Sequence, residues 1–217
     1  MATVGLRDLF YAPITMQDGI ETYGAVKRLA KAIKADMSVE TTDEPLYADD
    51  GMDVSIKEFV KGTLTLGVND LDPKIIAELL GQQINDDGVT FAGEFDEPPY
   101  FAIAFRAQKA SGGRFRYLWL YKVKFAVPSE NYETKSGSIN FVTPEIVGDF
   151  FKREKDGNWK ADYTGLTTDA VAEMWFDDVV EPSTNPRTEP ESVKVEIAKE
   201  PVEDDSEEVF EDEDNDE

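Results

Sequence analysis

Residues 99–127 read PYFAIAFRAQKASGGRFRYLWLYKVKFAV, two long runs of alternating character on either side of Ser111-Gly112-Gly113. Alternation with a period of two, broken by a short glycine loop, specifies an antiparallel hairpin. If Ala110 stands opposite Arg114, the register sets Phe101 against Val123, Ile103 against Tyr121, Phe105 against Trp119 and Ala107 against Tyr117. These four pairs share one face, which must be core, because a slip of one residue would expose all of them. The opposite face then carries Arg106, Arg114, Arg116, Lys122 and Lys124 beside Ala102, Ala104, Leu118 and Leu120. Two readings stay open for it. It is a solvated outer surface, or a subunit interface that meets an acidic neighbour and uses the two leucines.

A second stretch, residues 54–81, predicts a strand that turns directly into a helix. Residues 59–68 alternate, and Asn69, Asp70 and Asp72 interrupt them with turn and cap chemistry. Asp72 suits the N-cap, Pro73 the first helical position, and Gly81 the left-handed residue that ends a helix. Ile75, Ile76, Leu79 and Leu80 fall on one face, so this short helix is expected to plug one side or end of a β-sandwich.

The rest reads mostly as strand and loop. Residues 2–15 predict a strand ending near Pro13, and residues 17–24 a polar loop. Residues 26–33 have helical spacing at Val26, Leu29, Ala30 and Ile33, although a strand is favoured there, as it is for residues 34–42. Residues 41–53, TTDEPLYADDGMD, predict a long acidic loop, and loops of that length in compact domains are usually functional or mobile. Asp49, Asp50 and Asp53, like Asn85-Asp86-Asp87-Gly88, lack EF-hand spacing and read as solvated turns. Residues 128–137 predict a loop, 138–151 a strand interrupted near Pro144, Asp156-Gly157 a turn, and 168–179 a short helix capped by Thr168 with Val171, Met174, Trp175 and Val179 along one side.

Composition narrows the function. The 217 residues contain no cysteine and no histidine, which excludes disulfides and thiolate metal sites and removes the usual general base at neutral pH. No run of about 18 apolar residues is present, and the N-terminus does not resemble a signal peptide. The net charge of −24 is shared unevenly. Residues 181–217 hold sixteen acids and three bases, and their composition predicts a disordered acidic tail after a folded domain of residues 1–180. Duplex nucleic acid should be repelled. There is no nucleophile elbow, Walker loop or dinucleotide fingerprint, and a non-enzymatic protein with no cofactor and no metal is expected.

Taken in order, YAPIT, LYADDG, KEFVKGTLTLGVNDL, IIAELLG, EPPYFAIAFRA, RYLWLYKVKFAVPSENYETK and DGNWKADYTG resemble the major tail protein family of long-tailed bacteriophages with non-contractile tails, over about residues 1–180. The resemblance implies a mainly β, sandwich or barrel-like tail tube fold flanked by a short α-helix. It further implies hexameric rings stacked around a tape measure protein, with inner sheets joined into a channel through which DNA passes without specific binding. Tail terminator and distal tail proteins would be further partners, and the virion tail, assembled in the host cytoplasm, the location. Long loops lock ring to ring in that family, which makes Asp43, Glu44, Leu46, Tyr47, Asp49, Asp50 and Asp53 the candidate ring-stacking loop. Arg106, Arg114, Arg116, Leu118, Leu120, Lys122 and Lys124 are the candidate subunit interface. A secretion-tube ring protein would share the fold. The alternative from another class is a monomeric β-sandwich that binds carbohydrate or protein, with Tyr100, Trp119 or Tyr121 as the sugar platform.

Overall fold

The computed structural model describes residues 2–17, 19–48, 51–110, 112–130, 132, 134 and 143–182, with backbone alone for 44–48 and 51–56. The fold is mainly β, as expected. In chain order the elements are β1 (Thr3–Gln17), β2 (Ile20–Tyr23), β3 (Lys27–Ala30), β4 (Ala32–Ala48), β5 (Gly51–Val68), α1 (Pro73–Leu80), β6 (Gln83–Ile84), β7 (Thr90–Phe91), β8 (Tyr100–Lys109), β9 (Phe115–Phe125), β10 (Glu145–Phe151), β11 (Lys160–Gly165) and α2 (Ala170–Glu173). One antiparallel sheet has the order β2-β1-β8-β9-β10-β5-β4, with β3 also on β1 and β11 also on β9. Lys31 alone separates β3, at one end of this series, from β4 at the other. Asn69 clasps the junction: its side-chain oxygen accepts from the Lys31 N–H at 3.1 Å, and its own N–H donates to the Lys31 carbonyl at 3.0 Å. The sheet therefore curls on itself. Leu9 and Tyr11 from β1 meet Leu64 and Leu66 from β5 in one core, which Leu79 and Leu80 of α1 help to fill.

Local chemistry places α1 where it was expected. Asp72 Oδ1 accepts from the Lys74 N–H at 2.9 Å, Pro73 opens the helix, and Gly81 ends it at φ 71°. Its buried face centres on Ala77, Leu79 and Leu80, with Ile75 and Ile76 packed at the margin. The turn at Asn85 is also present, its side chain accepting from Val89 N–H at 2.8 Å between β6 and β7.

Other expectations need correction. Pro13 does not end β1, which continues to Gln17 and returns as β2 instead of entering a loop. Residues 27–30, by contrast, are strand as favoured, pairing with β1 and placing Leu29 in the core. Residues 41–48 and 51–53 are strand and not loop: β4 and β5 pair from Ala32 opposite Val68 to Ala48 opposite Gly51. Pro45 is tolerated because β4 is an edge strand whose outer side pairs with nothing described. The predicted stretch 138–142 lies outside the described residues, as does the acidic tail from residue 183.

The register of the β8–β9 hairpin also differs. Phe101 does face Val123, but a bulge then slips the ladder by one, so Ile103 faces Leu120, Ala104 faces Trp119 and Phe105 faces Leu118. Such a bulge places two residues of one strand opposite one of the other and reverses the inside–outside phase beyond it. Leu118, Leu120, Val123 and Phe125 consequently join the core, while Tyr117, Trp119 and Tyr121 turn to the opposite face with Ala102 and Ala104. Both faces are buried. The second is covered by α2 and the residues after it, through Ala172, Trp175 and Val179. That helix is shorter than predicted, and its N-cap residue is Asp169, not Thr168. The Asp169 carboxylate accepts from the Tyr163 hydroxyl at 2.7 Å and Leu166 N–H at 2.9 Å, and Val171 and Met174 stay exposed.

Candidate assembly surfaces

The stripe of cations expected on one hairpin face does not exist as a stripe. Leu118 is 2% exposed and Leu120 0%, so neither can meet a neighbour. Arg106 stands opposite Tyr117 on the aromatic face, whereas Arg116 shares the other face with Leu118 and Asp162. Four of the five cations are already engaged. Arg106 Nε donates to Asp8 Oδ2 at 2.5 Å and its guanidinium lies 4.9 Å from the Phe115 ring centre. Arg116 forks onto Asp162, with Nε 2.9 Å from Oδ2. Lys122 bridges Glu21 at 2.5 Å and Glu154 at 3.1 Å. Lys124 sits 3.8 Å from Glu97 and over the Tyr100 ring. Arg114 is exposed and makes no ion pair with a described residue.

The predicted stacking loop becomes an arm. β10 pairs with β5 only from Gly62 to Gly67, so residues 51–61 are paired, among the described residues, on one side alone, with β4. From Gly62 the ribbon runs on for roughly 35 Å at ordinary strand rise. Asp43 lies opposite Lys57, with 3.5 Å between their charged groups, Glu44 opposite Ile56, Leu46 opposite Val54 and Tyr47 opposite Met52. Asp53 sits in β5 near the tip, and Asp49 and Asp50 lie outside the described residues. At the root, the rings of Phe59 and Trp159 stack at 4.9 Å, and Phe150 lies 5.5 Å from Trp159 and over Gly62.

Sequence reasoning missed the strap formed by residues 174–182. Trp119 Nε1 donates to the Trp175 carbonyl at 2.9 Å, and the Tyr121 hydroxyl to the Val180 carbonyl at 2.7 Å. Arg153, 1% exposed, stacks 3.9 Å from the Tyr121 ring centre and pairs with Asp156 at 2.5 Å and Glu181 at 3.2 Å. Burial alone would raise the Asp156 pKa, but the bonds from Arg153 and Asn158 outweigh it and hold the carboxyl below its ordinary value. Burial, the largest influence, pushes the Tyr23 hydroxyl well above its ordinary range despite Arg153 beside it. The uninterrupted apolar run YLWLY at residues 117–121 was the available signal, because a strand apolar in both phases needs cover on both faces.

Among the described residues no group of acidic side chains is arranged to hold a metal ion. Trp119 and Tyr121 are sealed beneath the strap, and Tyr100 is half-buried under Lys122, so none of the three offers a free sugar platform. No helix among the described residues is long and apolar enough to cross a membrane. A scan against protein-family models found no match, and a search of curated proteins found none.

Proposed function

We propose that this chain is a non-enzymatic, self-assembling tube subunit of the tail tube class, building stacked hexameric rings that conduct DNA in a phage tail. The arm carries the reading. A two-stranded ribbon is marginal in water on its own, and here one extends far beyond the sheet with both outer edges unpaired by any described residue from about Lys61 to the tip. Such edges require cover, and a neighbouring copy is the cover a ring or tube supplies. The motif order described above supports the same reading, with tape measure, terminator and distal tail proteins as partners. DNA would pass without sticking, because an acidic wall repels phosphate. The monomeric binding-module reading loses its aromatic residues to the core and strap.

Negative-stain electron microscopy at rising protein concentration, with mass from light scattering on the same samples, tests the proposal. Rings or hollow tubes are expected. A persistent monomer that binds glycans tightly would overturn it.

A further inference from the structure

The two ends of the β8–β9 hairpin differ in charge. At the end where β8 begins, residues 69–97 carry eight acids against one lysine, Lys74. This segment includes the β6–β7 flap, where Phe95 is 92% exposed and Val89 and Phe91 are about half exposed. Asp86, Asp87 and Glu94 make no ion pair with a described residue, and all three are exposed. The other end is basic. Residues 98–129 hold six bases and no acid; Lys122 and Lys124 lie at the end where β8 begins, Lys124 opposite Tyr100, and the other four lie toward the turn. Of these, Lys109 and Arg114 flank the turn, and Arg7 joins them from β1, whose Thr3 stands opposite Lys109. Arg7, Lys109 and Arg114 make no ion pair with a described residue, and Val4 and Leu166 are exposed beside them. Tyr100 and Lys109 are roughly 30 Å apart along the strand.

We propose that these ends dock on one another between copies: the acidic, apolar flap of one subunit seats on the basic turn end of the next. The contact rests on the self-assembly reading above and names a second surface for it, separate from the arm. Charge complementarity identifies the occupant. In a chain of net charge −24 most copies repel, and this basic end is where unpaired cations collect on one hairpin. The exposed aromatic side chains of the flap supply apolar area that charge alone lacks. A flap meeting a different surface is a heterologous contact, so it propagates along the strand direction instead of closing a dimer. The β4–β5 arm points the same way as the turn end, since β5 runs parallel to β9 through their shared neighbour β10. Because both partners are solvent-exposed, association should weaken as salt shortens the screening length to about 8 Å at physiological ionic strength.

Reciprocal charge reversal in the full chain tests this. One variant is Asp87→Lys with Glu94→Lys, the other Lys109→Glu with Arg114→Glu, and circular dichroism and thermal midpoints verify that each folds. Sedimentation velocity should show wild-type mass rising with concentration and falling with added salt. Each variant alone should need at least about tenfold more protein to associate, equivalent to ~1.4 kcal/mol. An equimolar mixture should return to the wild-type range, because each reversed end then meets its complement. Variants that associate like wild type, a mixture of folded variants that stays monomeric, or a wild type that never associates would overturn the proposal. Hollow tubes formed equally by wild type and both variants would remove this contact and leave the tube reading intact. Mutual rescue into linear oligomers without tubes would do the reverse.

Discussion

Replacing Gly62 by alanine adds one methyl group to the root of the arm. In a strand interior that exchange ordinarily stabilises by about 0.5–1 kcal/mol, because glycine loses more freedom on folding. Here the sign should invert. A Cβ at position 62 would clash with the tip of the Phe150 ring, nearest to Cζ and 2.5 Å from each Cε. Phe150 is fully buried and packs against both Phe59 and Trp159, 6.0 and 5.5 Å away between ring centres. Overpacking of this kind costs about 1–3 kcal/mol, and full expulsion of the ring would approach the ~3–5 kcal/mol of a Phe→Ala truncation. A net loss of about 2–3 kcal/mol is expected, or a thermal midpoint lower by ~5–10 °C for a domain of this size. Urea denaturation followed by tryptophan fluorescence reads it, since Trp159 belongs to the stack. Phe150→Leu in the Gly62→Ala background should cost less than Phe150→Leu alone, as the two changes share one space. A Gly62→Ala protein as stable as wild type, with additive double-mutant energies, would refute this account of the root.

Three further outcomes follow from described contacts. Asp162 is a carboxyl that burial alone would raise but that Arg116 and Lys160 hold below its ordinary value, and Asp156 is depressed likewise by Arg153. A depressed folded-state pKa gives stability that is present above the unfolded value near 4 and lost as pH falls through the lower, folded value. Urea midpoints should therefore drop between pH 5 and 2.5, and Asp162→Asn should flatten the drop; a pH-independent midpoint would contradict this. Arg153→Met leaves Asp156 and Glu181 without their buried partner and should cost about 3 kcal/mol, the low end for a broken buried pair because both carboxylates retain water. Wild-type stability in that variant would show that the strap is held by its apolar contacts alone. Replacing residues 45–55 by Asn-Gly keeps Glu44 opposite Ile56 and shortens the arm without touching its root, so the thermal midpoint should move by less than ~3 °C while tube growth is lost. Normal tubes from the shortened chain would remove the arm from the assembly model.

What could be read from the sequence was decided locally. Asp72, Pro73 and Gly81 announce α1 because cap and terminator chemistry acts within one helical turn. The hairpin around Gly112 is legible for the same reason. Its register was not, because a bulge near Tyr121 and Lys122 depends on how the far strands close the sheet. Leu118 and Leu120 were therefore assigned to the wrong side. The alternation of Lys122, Val123 and Lys124 gives one phase and the run 117–121 gives none. The arm was hidden differently: residues 41–53 are acidic and contain Pro45, a composition that suits a loop as well as an unpartnered edge strand. The strap escaped notice because residues 174–179 carry apolar spacing that reads as the continuation of a helix, whereas the helix ends at Glu173. Its anchors, Trp175 and Val180, meet Trp119 and Tyr121 from more than fifty positions away.

The joining of β3 to β4 through Lys31 alone has a consequence for synthesis on the ribosome. β4 and β5 pair locally, so the arm can zip as soon as residue 68 has emerged. The other side of β5 must wait, since Leu64 meets its partner only at Gly148, and β1 must likewise wait for β8. At 5–20 residues per second that interval lasts about 4–16 s. Throughout it, Leu64 and Leu66 lie on a ribbon without a core, next to open backbone edges. Nascent chains on one message would then be at risk of pairing with each other before each has closed on itself. The polar outer face of that ribbon, with Asp36, Ser38 and Glu40 opposite Thr65, Thr63 and Lys61, is the feature that would keep such encounters brief.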